Sequence, residues 1–331
     1  MREKCSLMVC IDVHTHMMNS EWVESISKNQ KYGSVNVGEK TMIALAGRPY
    51  MPVEMEMLDY QCRINDMNTA GVDLAIISLT TPSVYWANKS EAVRLAQIAN
   101  KEMADQQKNY PDRIRFMATL PWQHPEEAKT ELLNAIKLGA VGVFVGSNIE
   151  NIALTESLFT PIWDEIDKLS LPVLLHPSPP SETTESKLGD FNLIQSVGFV
   201  CDTSIAISRM IFDGFFDRYP NLKLIAAHVG GTLPFISGRL DACYEFMAPC
   251  REKISVRPSE YLRHIYYDSL GFTPTAIQMC LEVGGSDHVM FGSDYPHLIG
   301  HMKAAKERVR ALPKKNHKRI FEKTAINVFN I

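Results

Sequence analysis

The chain has 331 residues, 45% hydrophobic and 22% charged, enough for a sizeable core in two domains or one large α/β barrel. That composition excludes a disordered or fibrous protein. The formal net charge of −4 is spread without a basic block, so nucleic acid and anionic membrane are not expected partners.

The first predicted strand is Met8-Val9-Cys10-Ile11-Asp12-Val13-His14-Thr15-His16. On a strand of period two its histidines project to one face, which is a chelating geometry for zinc and other first-row ions. Residues 17–60 have no clear period and read as a small insertion, a candidate lid. Residues 72–78 read as a buried strand after Gly71. A helix follows, with Ala92, Leu95, Ala96, Ala99 and Met103 along one face, ending before Pro111. Residues 113–120 form the next strand. Pro125 opens a helix that Gly139 closes, and 141–145 is again a strand.

In the second half, Thr160 as N-cap and Pro161 in the first turn start a helix, and strand 171–175 runs into His176. A polar loop reaches about Asp190, before an apolar helix over 205–216. Strand 222–227 runs into His228. Strand 265–268 is shorter, a helix spans 274–283, and 289–292 leads into Asp294. Eight strands alternating with helices predict a (β/α)8 TIM barrel, a single domain over 1–331. The active site of such a barrel lies at the C-terminal strand ends, where His14, His16, His176, His228 and Asp294 all fall. His124, His264, His288, His301 and His317 read as ordinary surface groups.

Seven cysteines, Cys5, Cys10, Cys62, Cys201, Cys243, Cys250 and Cys280, are scattered without Cys-x-x-Cys spacing. They read as reduced thiols of a cytoplasmic protein. The apolar run after Arg2, Glu3 and Lys4 is too short for a signal sequence, and no window approaches transmembrane length.

Six segments occur in order: Ile11-Asp12-Val13-His14-Thr15-His16, Gly47-Arg48-Pro49, His176-Pro177, Ala227-His228-Val229-Gly230-Gly231, Ser237-Gly238-Arg239-Leu240-Asp241 and Phe291-Gly292-Ser293-Asp294-Tyr295-Pro296. With them the chain resembles the amidohydrolase superfamily over nearly its whole length, in the branch of aminocarboxymuconate-semialdehyde decarboxylase and related aromatic-acid decarboxylases. The resemblance implies one divalent metal held by His14, His16, His176 and Asp294 with a water. Zinc is expected, with manganese, cobalt or iron as alternatives. It makes His228 the acid/base, with Asp294 as another proton source. It also makes Arg48 and Arg239 carboxylate clamps, a role that suits the guanidinium fork. The family arginine matching Arg239 reaches the neighbouring subunit's site, which implies a homodimer. Phe191 stands where the family has a tryptophan, and His297 where it has an aromatic residue. Trp86 and Tyr85 are further stacking candidates.

Residues 141–145 contain no lysine to bridge two metals, and the acid nearest after His176, Glu182, lies beyond Pro177-Ser178-Pro179-Pro180, unlike the deaminase pattern. The expected activity is non-oxidative decarboxylation of a small aromatic or unsaturated carboxylic acid. The alternatives are a hydrolase or hydratase of the same superfamily, acting on a lactone or ring-cleavage product, and a catalytically silent barrel.

Overall fold

Eight short runs, Ile11–Met17, Leu74–Leu79, Ile114–Ala118, Gly142–Gly146, Pro172–His176, Lys223–Ala226, Tyr266–Asp268 and Val289–Met290, pair in parallel and in sequential order. They are mostly apolar because helices cover the outer face and side chains fill the inner one. The computed structural model describes residues 8–179 and 188–331; Glu182, Cys5 and the charged N-terminal residues lie outside them. Val13 N–H donates to Phe291 O at 2.9 Å and His16 N–H to Tyr295 O at 2.8 Å, joining the eighth strand to the first. The sheet is the (β/α)8 barrel expected from the strand count.

Val13, Ile76, Met117, Phe144, Leu174, Ile225 and Met290 pack the barrel interior together with Ala325, Val328 and Phe329 of the C-terminal helix Thr324–Phe329. That helix sits under the strand starts: Phe329 lies against Gly142, and Lys223 Nζ donates to Val328 O. One end of the barrel is thereby filled, and the C-terminal end is left for chemistry.

The outer helices follow the expected periodicity. Lys89–Asn109 buries Ala92, Leu95, Ala96, Ala99 and Met103, and Asn88 caps it by accepting from Glu91 N–H. Pro125–Leu138 starts at its proline and stops at Gly139, whose φ of +103° suits glycine. Three expectations are corrected. Thr160 is itself helical (φ −49°, ψ −46°), and Phe159 occupies the N-cap because a 3-10 turn, Ser157–Phe159, leads directly into the helix. The apolar helix begins earlier, at Phe199, and ends at Phe212, since left-handed Gly214 breaks it before the short helix Phe215–Arg218. The helical stretch Asp190–Phe212 is also long and apolar enough to cross a membrane, contrary to the sequence reading. Here it packs along the barrel through Thr203, Ser204, Ile207, Met210 and Ile211.

Residues 17–60 are more ordered than their sequence predicts. Asn19 caps a helix, Ser20–Ile26, and an antiparallel sheet follows from Tyr32–Val37, Lys40–Leu45 and Arg48–Pro52. Its second hairpin turns on Ala46 (φ +50°) and Gly47 (φ +76°), the paired positive φ of a type I′ loop. The helix Tyr60–Ala70 then supplies Arg63, fully buried, which donates to Thr15 Oγ1 and to the His16 carbonyl and lies 4.8 Å from the Tyr295 ring centre. Hydrogen bonds from a charged donor contribute about 1.5–3 kcal/mol each, so Arg63 braces the strand end that carries His16.

Candidate metal centre

Five of the predicted residues meet at the open end of the barrel. Strand one ends in His14 and His16, both fully buried, and their alternation turns both rings inward. His176 terminates the fifth strand, His228 follows the sixth, and Asp294 follows the eighth in a left-handed conformation (φ +56°). Asp294 Oδ1 stands 3.3 Å from His14 Nε2, 3.1 Å from His16 Nε2 and 4.0 Å from His176 Nε2. The nitrogens of His14 and His16 are 3.0 Å apart. His228 Nε2 faces the other carboxylate oxygen, Oδ2, at 3.4 Å. The donor atoms of His14, His176, His228 and Asp294 all lie within 4.8 Å of one another, as do those of His16, Asp294 and His297, so Asp294 is common to both groups.

The far side of each inward ring is occupied. His14 Nδ1–H donates to Asp268 Oδ2 at 2.5 Å, His176 Nδ1–H to Pro177 O at 2.9 Å, and His16 Nδ1 meets Ser78 Oγ at 3.1 Å. Such contacts fix ring orientation and leave Nε2 to a metal. His176 Nε2 and Asp294 Oδ1 are buried with no hydrogen-bond partner, an arrangement that is expensive unless a cation satisfies it.

Charge points the same way. Burial pushes His16 down to about 3, and burial with the neighbouring His16 and His14 pushes His176 well below its ordinary value, so both stay neutral and able to ligate. Burial works against His14 too, but the Asp294 charge and the Asp268 hydrogen bond outweigh it and raise His14 to about 10. Asp294 is held well below the usual carboxylate range, because the charge of His14 chiefly overcomes burial. His14, between the Asp294 and Asp268 carboxylates, is thus the ring of the cluster that keeps an extra proton. Three imidazoles and a carboxylate of this form suit a divalent ion in place of that proton.

The other predicted residues divide. His297 is beside the cluster, its ring 5.0 Å from His16 and its Nε2 2.9 Å from Thr80 Oγ1. Trp86 is half-buried, with Nε1–H donating to Ser83 O at 2.9 Å, and Tyr85 is buried with its hydroxyl accepting from Gly146 N–H. Arg48 is exposed and paired with Asp190 at 2.6 Å. Arg239 is exposed on the helix Leu233–Phe246. Phe191 is 92% exposed, because it and Asn192 are left-handed (φ +54° each) and the turn carries its ring outward rather than over the cluster.

Several contributors were missed. Asp268 ends the seventh strand, as Asp294 follows the eighth, and the same strand-end rule could have found it. Asp12 is fully buried; burial raises it to about 6 while it accepts from Ser293 N–H and Oγ–H, tying the first strand to the Asp294 loop. Tyr50, from the insertion sheet, is buried, and burial chiefly, against an opposing contact with Thr81, pushes its hydroxyl pKa up, with the Asp202 and Asp294 charges adding to it.

An amidohydrolase family model matches residues 11–331. The 2-amino-3-carboxymuconate-6-semialdehyde decarboxylase of Dictyostelium discoideum is 31% identical over 300 residues, 88% of this chain and 83% of that protein. A gamma-resorcylate decarboxylase from a Rhizobium species is 30% identical over 266 residues, 76% of this chain and 81% of that protein. A crystal structure of 5-carboxyvanillate decarboxylase from Novosphingobium aromaticivorans with bound manganese matches with a TM-score of 0.84 at 24% identity, covering 98% of this chain and 97% of that one.

Proposed function

This chain belongs to the amidohydrolase family, matched over residues 11–331, and from that membership we propose that it is a metal-dependent non-oxidative decarboxylase of a small aromatic or unsaturated carboxylic acid. The observation that carries the reading is the convergence of three imidazole nitrogens on one oxygen of Asp294, with His228 on the other. Both named relatives at 30% identity or more are decarboxylases, which favours carbon–carbon cleavage over the hydrolase or hydratase alternative.

We assign the metal to His14, His16, His176 and Asp294. When bound, a divalent cation supplies Lewis acidity to the substrate's carboxylate or adjacent oxygen. The donor set suits zinc, and manganese, as in the Novosphingobium enzyme, is the competing ion. Loss of carbon dioxide breaks the ring–carboxylate bond and leaves its electron pair on carbon, where a proton must arrive. In this reading His228 delivers that proton, a role its contact with Asp294 Oδ2 supports. Arg48 and Arg239 act as carboxylate clamps, Arg48 by exchanging Asp190 for substrate. His297 and Trp86 border the ring, and Phe191 joins it by turning inward or from a second copy. Carbon dioxide release from metal-loaded protein, assayed over hydroxylated, aminated and conjugated acids, tests the reading. Substrate consumption without carbon dioxide would move it to the alternative.

We further propose a homodimer in which Arg239 serves the partner's site. Its helix exposes Phe235 (80%) and Phe246 (82%), and the neighbouring apolar helix exposes Ile205 (68%), large apolar side chains that a second copy would cover. Light scattering should return twice the mass of one chain; a monomer at micromolar concentration would remove Arg239 from the site. A cytoplasmic setting accords with the free thiols of Cys10, Cys62, Cys201, Cys243, Cys250 and Cys280, and recovery in a membrane or secreted fraction would contradict it.

A further inference from the structure

Asp268 ends the seventh strand, fully buried, and all of its acceptor capacity is engaged. Oδ2 accepts from His14 Nδ1–H at 2.5 Å and from the His228 backbone N–H at 2.8 Å. Oδ1 accepts from Val229 N–H at 3.0 Å and Leu270 N–H at 2.9 Å. One carboxylate therefore touches a ring of the metal cluster and the backbone of the residue that handles the proton.

Both contacts have work that few other groups could do. When an ion is bound the His14 imidazole must be neutral, and a carboxylate at Nδ1 keeps the remaining proton there, leaving the Nε2 lone pair for the ion. On the other side, His228 (φ +56°) and Val229 (φ +52°) are consecutive left-handed residues. For a β-branched valine that conformation is strained and persists only where neighbours hold it. The two N–H groups of this turn are those that Asp268 receives, and the turn is what aims His228 Nε2 at Asp294.

We propose that Asp268 is the positioning residue that couples the metal site to the proton-handling histidine: it fixes the His14 tautomer through one contact and holds the strained His228–Val229 turn through the others. The inference rests on the reading of His14 as a metal ligand.

The test is Asp268→Asn, nearly isosteric but placing an NH2 group against donors. Zinc and manganese dissociation constants, measured by chelator competition, should rise about 10–100-fold. At saturating metal, kcat should also fall, with KM for the acid little changed. In the double variant Val229→Gly/Asp268→Asn, glycine adopts positive φ without strain. Part of kcat should return and metal affinity should not. Recovery of both, or of neither, overturns the two-sided role. Wild-type protein that binds no metal would sink the functional reading itself. Wild-type binding with an unchanged constant in Asp268→Asn sinks this inference alone. Should the variant not fold, the His14 Nδ1–H proton resonance of zinc-loaded wild-type protein decides: a strongly downfield line, as a short bond to a carboxylate gives, supports the proposal, and an ordinary imidazole position overturns it.

Discussion

His228→Ala is expected to lower kcat for carbon dioxide release by about 10²–10⁴-fold, the usual contribution of a positioned acid or base. Its metal content should not change. The reason lies in the two faces of Asp294: the imidazoles of His14, His16 and His176 gather at Oδ1, whereas His228 Nε2 meets Oδ2 at 3.4 Å. Removing the His228 ring deletes the proton donor and leaves the Oδ1 side intact. A single-turnover assay beside elemental analysis of the same sample separates the effects. If the metal is lost with the ring, His228 is a ligand and its role must be reassigned. If the rate survives within a few-fold, the proton comes from elsewhere.

Stripping the metal should have the second large effect, at least about 100-fold on rate, since Lewis-acid activation contributes several kcal/mol and each 1.36 kcal/mol is tenfold. Stability should fall as well. His176 Nε2 and Asp294 Oδ1 are buried without partners, and an ion bound only by the folded chain stabilises it by about 4 kcal/mol at a thousandfold excess over its dissociation constant. Calorimetry of chelated protein should show a lower melting temperature, with rate and stability returning together on adding zinc or manganese. Full activity after exhaustive chelation would end the metal-dependent reading. Comparing the two ions in the restored protein assigns the native one by rate and affinity.

The barrel and its cluster were legible because a parallel strand buried on both faces is written as an apolar run, and a polar residue at its end stands out. His176 after Pro172–Leu175, His228 after Lys223–Ala226 and Asp294 after Val289–Met290 all read this way. Asp268 obeys the same rule but ends the three-residue strand Tyr266–Asp268, where a single carboxylate looks like a turn. Arg63 and Tyr50 were not legible: their burial depends on how separate segments dock, which no local period records. The insertion escaped because antiparallel strands with one wet face mix polar and apolar residues, as in Tyr32–Val37, and its tight turn rests on Ala46-Gly47. Phe191 differs again: its sequence position fits a stacking role, and what no local period records is that two consecutive left-handed residues turn the ring to solvent in the single chain.

The small antiparallel sheet of residues 32–52 carries Arg48 and Tyr50, and it joins the barrel by burying Tyr32, Ile43, Leu45, Tyr50 and Met51 in the main hydrophobic core and through Gln195 Nε2–H to Tyr50 O, Arg48 to Asp190 and Thr80 Oγ1–H to Met51 Sδ. The residues assigned to the metal all stand on barrel strands or the loops that leave them. Exposed positions of the sheet such as Ser34, Asn36 and Arg48 can therefore vary without touching either the shared core or the metal residues, and a laboratory library confined to them tests whether the sheet sets substrate preference.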